Sequence, residues 1–156
     1  MKTPSTGFTL LELVVVILLM GILAFELVPR LSGTSAYDAR GYFDQAANGL
    51  RYAQRLATAS GCDVSFALSS GSPPSFSLNQ PGAANCSGSQ PVLRPAGSGP
   101  YVVSAGNGVT VSSNVTVTFT ADSTATVAGM PLTISGGGFS GTINVIPGTA
   151  FVQTSP

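Results

Sequence analysis

The first thirty residues hold a nearly continuous apolar run. It extends over 21 residues, from Phe8 to Val28, and carries two charged side chains, Glu12 and Glu26. At about 1.5 Å per residue, a helix of this length reaches about 31 Å, which is enough to span the apolar core of a bilayer. The run is too long for a secretory signal, and no Ala-x-Ala-like cleavage site follows it. It therefore predicts a membrane-spanning helix that stays in the mature protein.

Pro29 closes the apolar run, and a second helix is predicted beyond it. Because proline lacks an N–H and clashes with the preceding turn, we expect the helix to kink or break there. From Phe43 to Ala57, apolar residues recur at steps of three and four, which is typical of an amphipathic helix. Gly61 supplies a stop signal, so this second helix is predicted for residues 35–60.

After Cys62 the composition shifts to Gly, Ser, Thr, Val and Pro, and the apolar period becomes two. Val64–Leu68, Val115–Phe119 and Ile143–Val145 alternate in this way, which predicts antiparallel strands with one buried face. Shorter strands are predicted at residues 75–78, 91–93, 101–103, 109–111, 125–127, 132–135 and 151–153. The glycines at 136–138 predict a turn or bulge.

Together these elements predict an α+β fold. A long kinked N-terminal helix has a transmembrane half and an amphipathic half, and the amphipathic half packs on antiparallel β-sheets of about seven to nine strands. The transmembrane or filament-core helix covers residues 8–29, the amphipathic helix residues 30–61, and the β-rich globular domain residues 62–156.

Composition narrows the functional classes. Net charge is zero and 8% of residues are charged, so no basic surface for nucleic-acid phosphates is expected. The absence of histidine excludes Ser/His/Asp and Cys/His catalysis and histidine-bearing metal sites. The carboxylates beyond the apolar run show no paired spacing. We therefore expect no enzyme, cofactor or metal, although a calcium site made of backbone carbonyls stays open.

The arginines of the amphipathic helix are interpreted as its solvated face; they are Arg40, Arg51 and Arg55.

The string TGFTLLE, residues 6–12, resembles the class III signal of type IV prepilins and pseudopilins. The resemblance implies that residues 1–7 form a leader, that a prepilin peptidase cuts between Gly7 and Phe8, and that Phe8 becomes N-methylated. It also implies a single-pass inner-membrane protein with a periplasmic globular domain, which later enters a pilus or pseudopilus. The leader departs from the pattern in having one basic residue, Lys2, and a proline, Pro4.

Each part of this motif has a physical reason. A glycine before the cut has no Cβ, which leaves a protease room to approach the backbone. Glu12, the fifth residue of the mature chain, is positioned to meet the free α-amino group of Phe8 on a neighbouring subunit. Two charges that are each costly in an apolar setting cost less when paired, and such a pair sets the axial register of packed helices. We therefore predict an assembly role for Glu12.

The resemblance extends into the second helix. The segment YFDQAANGLRYAQRLATASGCDV, residues 42–64, is similar to the sheet-rich subgroup of minor pilins and pseudopilins that includes the H-type pseudopilin of type II secretion. Within it, RYAQRLATASGCDV is similar to the C-type minor pilin of the mannose-sensitive haemagglutinin pilus.

Three functions fit these features, beside the simpler hypothesis of an ordinary membrane anchor whose early glutamate reaches the surface. The first is a minor pilin that is assembled into, or primes, a type IV pilus used in cell adhesion. The second is a pseudopilin of a type II secretion system. The third is a DNA-receptor pilin, but no cation follows Arg94, so nucleic acid is not an expected partner. The expected partners are other pilins or pseudopilins, prepilin peptidase and the inner membrane.

Cys62 and Cys86 are the only cysteines. A chain exported to the periplasm meets oxidising conditions, in which a pair without metal-type spacing forms a disulfide. Closing this loop is expected to stabilise the domain by about 3–4 kcal/mol. A redox role is disfavoured because the chain has no Cys-x-x-Cys. We therefore predict a structural disulfide.

Overall fold

The computed structural model describes residues 9–31, 34–82, 86–95, 97 and 99–156. The chain divides into two compact units, Met1–Thr34 and Ser35–Pro156. Helix α1, Leu10–Leu31, belongs to the first unit, and helix α2, Thr34–Ser60, leads into the second. α1 continues through Pro29 for two more residues. The helix is therefore not broken at Pro29, and the predicted kink there stays a prediction.

α2 confirms the predicted amphipathic helix to within one residue. The C-terminal end of α2 is also as predicted. Gly61 has a φ of 69° and donates its N–H to the carbonyl of Ala57 at 3.0 Å. Small and aromatic side chains dominate its buried face. That face consists of Ala39, Tyr42, Phe43, Ala46, Ala47, Gly49, Leu50, Ala53 and Ala57.

The described residues after α2 form ten short strands, one more than the upper end of the predicted seven to nine. They are β1 Val64–Ser69, β2 Ser75–Gln80, β3 Gln90–Pro91, β4 Val102–Ser104, β5 Thr110–Val111, β6 Val115–Phe119, β7 Ala125–Ala128, β8 Leu132–Gly136, β9 Phe139–Ile146 and β10 Phe151–Ser155. One sheet has the order β3-β2-β1-β6-β7, with β4 also paired to β2. The other has the order β10-β9-β8-β5, and every described pairing is antiparallel.

The strand predicted at residues 91–93 was misplaced, because β3 ends at Pro91. Val92 is buried and donates its N–H to Leu78 at 2.9 Å while its carbonyl accepts from Tyr101 at 2.6 Å, so it bridges β2 and the start of β4. Leu93 then forms a single bridge with Pro100. Burial still alternates with a period of two here, since Val92 is buried between the exposed Pro91 and Leu93, although the paired strand ends at Pro91.

The hydrophobic core lies between α2 and both sheets. On the six-stranded sheet, the ring of Phe76 stacks on Phe66 at 5.0 Å and meets Tyr42 of α2 at 5.8 Å. On the four-stranded sheet, Phe139 meets Phe43 of α2 edge-on at 5.7 Å. Because neighbouring residues of one helix reach different sheets, α2 joins the two sheets into a single core.

The hairpin of β8 and β9 turns at Gly137 and Gly138, whose φ values are 57° and 90°. Positive φ at both central residues gives a tight two-residue turn that matches the twist of paired strands. The predicted turn or bulge is therefore a turn. This turn packs closely against α2, because a Cβ on Gly137 would overlap the backbone nitrogen of Ala36 and Oγ of Ser35.

We predict that Gly137→Ala destabilises the globular unit by about 3 kcal/mol, since it combines left-handed strain with a clash against backbone. Gly138→Ala is the matched control, because a Cβ there meets nothing within 4 Å. It should cost only the backbone strain, about 1 kcal/mol. Urea unfolding of the full chain in mild detergent, followed by tyrosine fluorescence, measures both. Equal losses in the two variants would contradict the proposed contact with α2.

Candidate functional site

Thr9 caps the N-terminus of α1. Its Oγ1 accepts a hydrogen bond from the backbone N–H of Glu12 at 3.2 Å, and its carbonyl accepts one from the N–H of Leu13 at 3.2 Å. A threonine side chain that satisfies an otherwise unpaired N–H in the first turn is a preferred N-cap. The helix therefore starts at Leu10, the third residue after the predicted cut. Gly7 and Phe8 themselves lie outside the described residues.

Glu12 lies in the first turn of α1 and is exposed. A carboxylate at this end of a helix is stabilised by the partial positive charge of the unpaired N–H groups. The cap fixes the backbone of Glu12, while its side chain stays accessible. The arrangement can therefore present one anionic group at a defined position next to the start of the helix.

Large apolar side chains of α1 are exposed all around the helix. From Leu10 to Leu23 their exposed fractions range from 41% to 81%. Successive residues point about 100° apart, so a continuous exposed stretch covers every side of the helix. A helix that is apolar on all sides is stable only when something apolar surrounds it. The first unit therefore presents a surface that calls for an apolar partner.

Within the part of the chain that the structure describes, no helix is both long and apolar enough to cross a membrane.

Cys62 and Cys86 are joined by a disulfide, with their Cα atoms 5.4 Å apart. Cys62 follows the glycine that ends α2, and Cys86 lies in the segment between β2 and β3. The bond therefore ties the end of α2 to the segment that leads from β2 to β3, the edge strand of the six-stranded sheet. It closes a loop with a sequence separation of 24 residues.

Two titratable groups of the globular unit have displaced pKa values. Burial raises the pKa of the Tyr42 hydroxyl, and no hydrogen-bond partner for this hydroxyl exists among the described residues. Hydrogen bonds from the hydroxyls of Thr120 and Thr124 lower the pKa of Asp122, which is exposed at the β6–β7 turn. Among the described residues, no cluster of three or more Cys, Asp or Glu side chains is placed to hold a metal ion.

The predicted solvated face of α2 is not uniform. Arg51 is only partly exposed and lies beside β10. Arg55 is exposed, as predicted. The sequence gives no signal for this difference, because it depends on which strand lies opposite α2.

We predict that the double variant Cys62→Ser, Cys86→Ser lowers the free energy of unfolding by about 3–4 kcal/mol. The reason is that the disulfide closes a loop and thereby reduces the conformational entropy of the unfolded chain. Urea unfolding of the full chain in mild detergent, with and without reductant, measures the change. Reductant should shift the wild-type midpoint and leave that of the double variant in place. An unchanged wild-type midpoint after complete reduction would contradict the prediction.

Comparison with protein-family models finds that residues 3–25 match the prokaryotic N-terminal methylation motif. The match takes in most of the predicted leader, the TGFTLLE string and α1 as far as Phe25. It confirms that the N-terminus carries a type IV pilin-like signal, as the resemblance indicated. Neither the curated proteins nor the solved structures include a match to the chain.

Proposed function

We propose that this protein is a minor pilin, made as a prepilin and assembled into, or priming, a type IV pilus of the mannose-sensitive haemagglutinin kind. The observation that carries the proposal is the methylation motif at residues 3–25, which runs directly into a helix that is apolar on all sides. A motif of this kind implies processing by a prepilin peptidase and assembly with other pilins. The globular unit is then the part that the filament displays.

Processing fits the local structure. Cleavage between Gly7 and Phe8 leaves Phe8 as the first residue, directly before the capping residue Thr9. The cap then forms within the mature chain, so removing the leader does not cost the helix its first turn. Methylation of the new α-amino group keeps its charge and adds apolar surface.

Before assembly, the apolar run from Phe8 to Val28 serves as the inner-membrane anchor, and the globular unit lies in the periplasm. Its 21 residues give about 31 Å of helix, which matches the apolar thickness of a bilayer. The disulfide supports export, because such bonds persist in the oxidising periplasm and are rare in the cytosol.

In the filament, the same helix exchanges lipid for the helices of other subunits. Packing between apolar helices gives little direction along their axis, so a polar contact is needed to fix the register. The carboxylate of Glu12 supplies it by pairing with the α-amino group of a neighbouring Phe8. Both charges are costly when unpaired in an apolar setting, so displaced registers are penalised.

A pseudopilin of a type II secretion system is the second candidate. The methylation motif supports it equally, since both classes share this signal. A DNA-receptor pilin has less support, because the chain after Arg94 has no Lys or Arg to contact phosphates. We also propose that the protein is not an enzyme, which the lack of histidine supports.

The first test is processing. We expect co-expression with a prepilin peptidase to remove residues 1–7 and to add one methyl group to Phe8, as seen by intact mass and N-terminal sequencing. Gly7→Ala should block the cut, since its Cβ fills space that the protease needs at the backbone. Thr3→Ala, also in the leader, is the control and should be cut normally. An uncut wild-type chain would reject every filament function and leave a membrane-anchored β domain.

The second test concerns register. In cells that assemble the filament, Glu12→Gln should be cleaved normally but enter sheared filaments at least about tenfold less, because the α-amino group of the neighbour loses its partner. Glu26→Gln changes the same charge in the same apolar run and should enter filaments as wild type does. Immunoblots of the filament and membrane fractions measure the ratio. Equal incorporation of the two variants would rule out the register role of Glu12.

A further inference from the structure

A shallow groove of about 520 Å³ borders the four-stranded sheet where α2 meets β10. Arg51 of α2 lies on one side of it. The other lining residues are Thr142 and Asn144 of β9 and Phe151–Ser155 of β10. The groove is far from the methylation motif in sequence, and the proposed function makes no use of it.

The strand beside the groove has a free edge. β10 ends the order β10-β9-β8-β5 and pairs with β9 alone among the described strands. In an antiparallel ribbon, every second residue of an edge strand directs its N–H and carbonyl outwards. Proteins usually protect such edges with charged residues, proline or bulges. Residues 151–155 contain neither charge nor proline, so β10 offers unpaired backbone groups to another extended chain.

Arg51 gives the groove its charge. It is the only charged residue in the lining, and the other polar groups there are neutral. No carboxylate in the described part of the chain lies within ion-pair or hydrogen-bond reach of its guanidinium, and the side chain is partly buried. A guanidinium in this setting binds a carboxylate more strongly than a fully solvated one does.

Phe151 adds an apolar contact. It begins β10 and is 57% exposed although it is one of the largest side chains of the globular unit. On the register of the sheet, Phe151 and Gln153 lie on the same face as Asn144. An extended chain placed beside β10 therefore meets an aromatic ring, then neutral polar groups, with a cation close by.

We propose that this groove docks an extended protein segment that carries a carboxylate. The segment adds a strand to β10 through backbone hydrogen bonds, which supply affinity, while contacts of alternate side chains supply selectivity. Its carboxylate pairs with Arg51, and one of its apolar side chains covers Phe151. The proposal does not depend on the type of filament or on processing at Gly7.

Binding of short blocked peptides to the full chain in detergent micelles tests this proposal. The probe alternates threonine and valine around one central glutamate, and its twin has glutamine instead. A third peptide is N-methylated at alternate backbone nitrogens, which removes strand pairing and keeps the charge. We expect the glutamate peptide to bind about tenfold more tightly than its twin, and the N-methylated one not to bind. Amide shifts in β10, measured by NMR, locate the site.

Arg51→Gln should remove the preference for glutamate, and Arg51→Lys should keep most of it. Arg55→Gln is the matched control, one turn further along α2 and outside the groove, and should behave as wild type. If Arg51→Gln fails to fold, the wild-type protein still tests the proposal. It should bind the glutamate peptide more tightly than the glutamine peptide, and high salt should remove that difference in affinity. Equal binding of both peptides, or retained binding after N-methylation, would overturn the proposal. Self-association through β10 that ignores Arg51 would overturn it in favour of a second copy.

Discussion

The globular unit depends on close contact between α2 and two different sheets. Large side chains on both sides would hold the layers apart, but glycine and alanine on one side let aromatic rings on the other side reach the backbone. A Cβ on Gly49 would lie 2.9 Å from the Phe76 ring, and one on Gly141 would lie 2.7 Å from the ring of Phe43. The small residue is on α2 in the first contact and on β9 in the second. Because each buried phenylalanine contributes about 1.5–3 kcal/mol, these contacts hold both sheets on one helix.

α1 follows the opposite rule. From Leu10 to Leu23 it has large apolar residues on every side, and they are exposed, so covering them requires an apolar partner. Its described polar contacts are at its start, where Thr9 caps the first turn and Glu12 adds negative charge. In the proposed mature chain, the α-amino group of Phe8 would add a positive charge near the positive end of the helix dipole, which is unfavourable. A carboxylate in the first turn, from the same chain or from the neighbouring subunit of the proposed filament, would offset that repulsion.

Local patterns predicted most elements. Alternation found β1, β6 and β9, and the step of three and four residues found α2 with its glycine stop, because both patterns reflect which side is buried. The order of the strands was not accessible, since β1 lies between β2 and β6, and β6 is more than forty residues away in sequence. β3 ends two residues before its predicted end, and Val92 instead hydrogen-bonds to Leu78 and Tyr101 across two irregular segments.

The candidate sites divide in the same way. The N-terminal motif is a continuous string, so its chemistry could be predicted at TGFTLLE without any tertiary contact. The groove at β10 could not, because it needs a helix and an edge strand to meet. On sequence alone, Arg51 and Arg55 are equivalent members of one helix face, and only the position of β10 distinguishes them.

The two uncovered surfaces differ in what they select. α1 presents apolar area, which attracts any apolar partner of the right length and discriminates poorly between helices. An edge strand presents fixed backbone donors and acceptors, and Arg51 adds one charge whose partner must be correctly placed. Apolar attraction is insensitive to salt, whereas an ion pair at Arg51, as proposed, would weaken as ions screen it. Under the two proposals, α1 serves for general association with other subunits, and the groove at β10 distinguishes one neighbour from another.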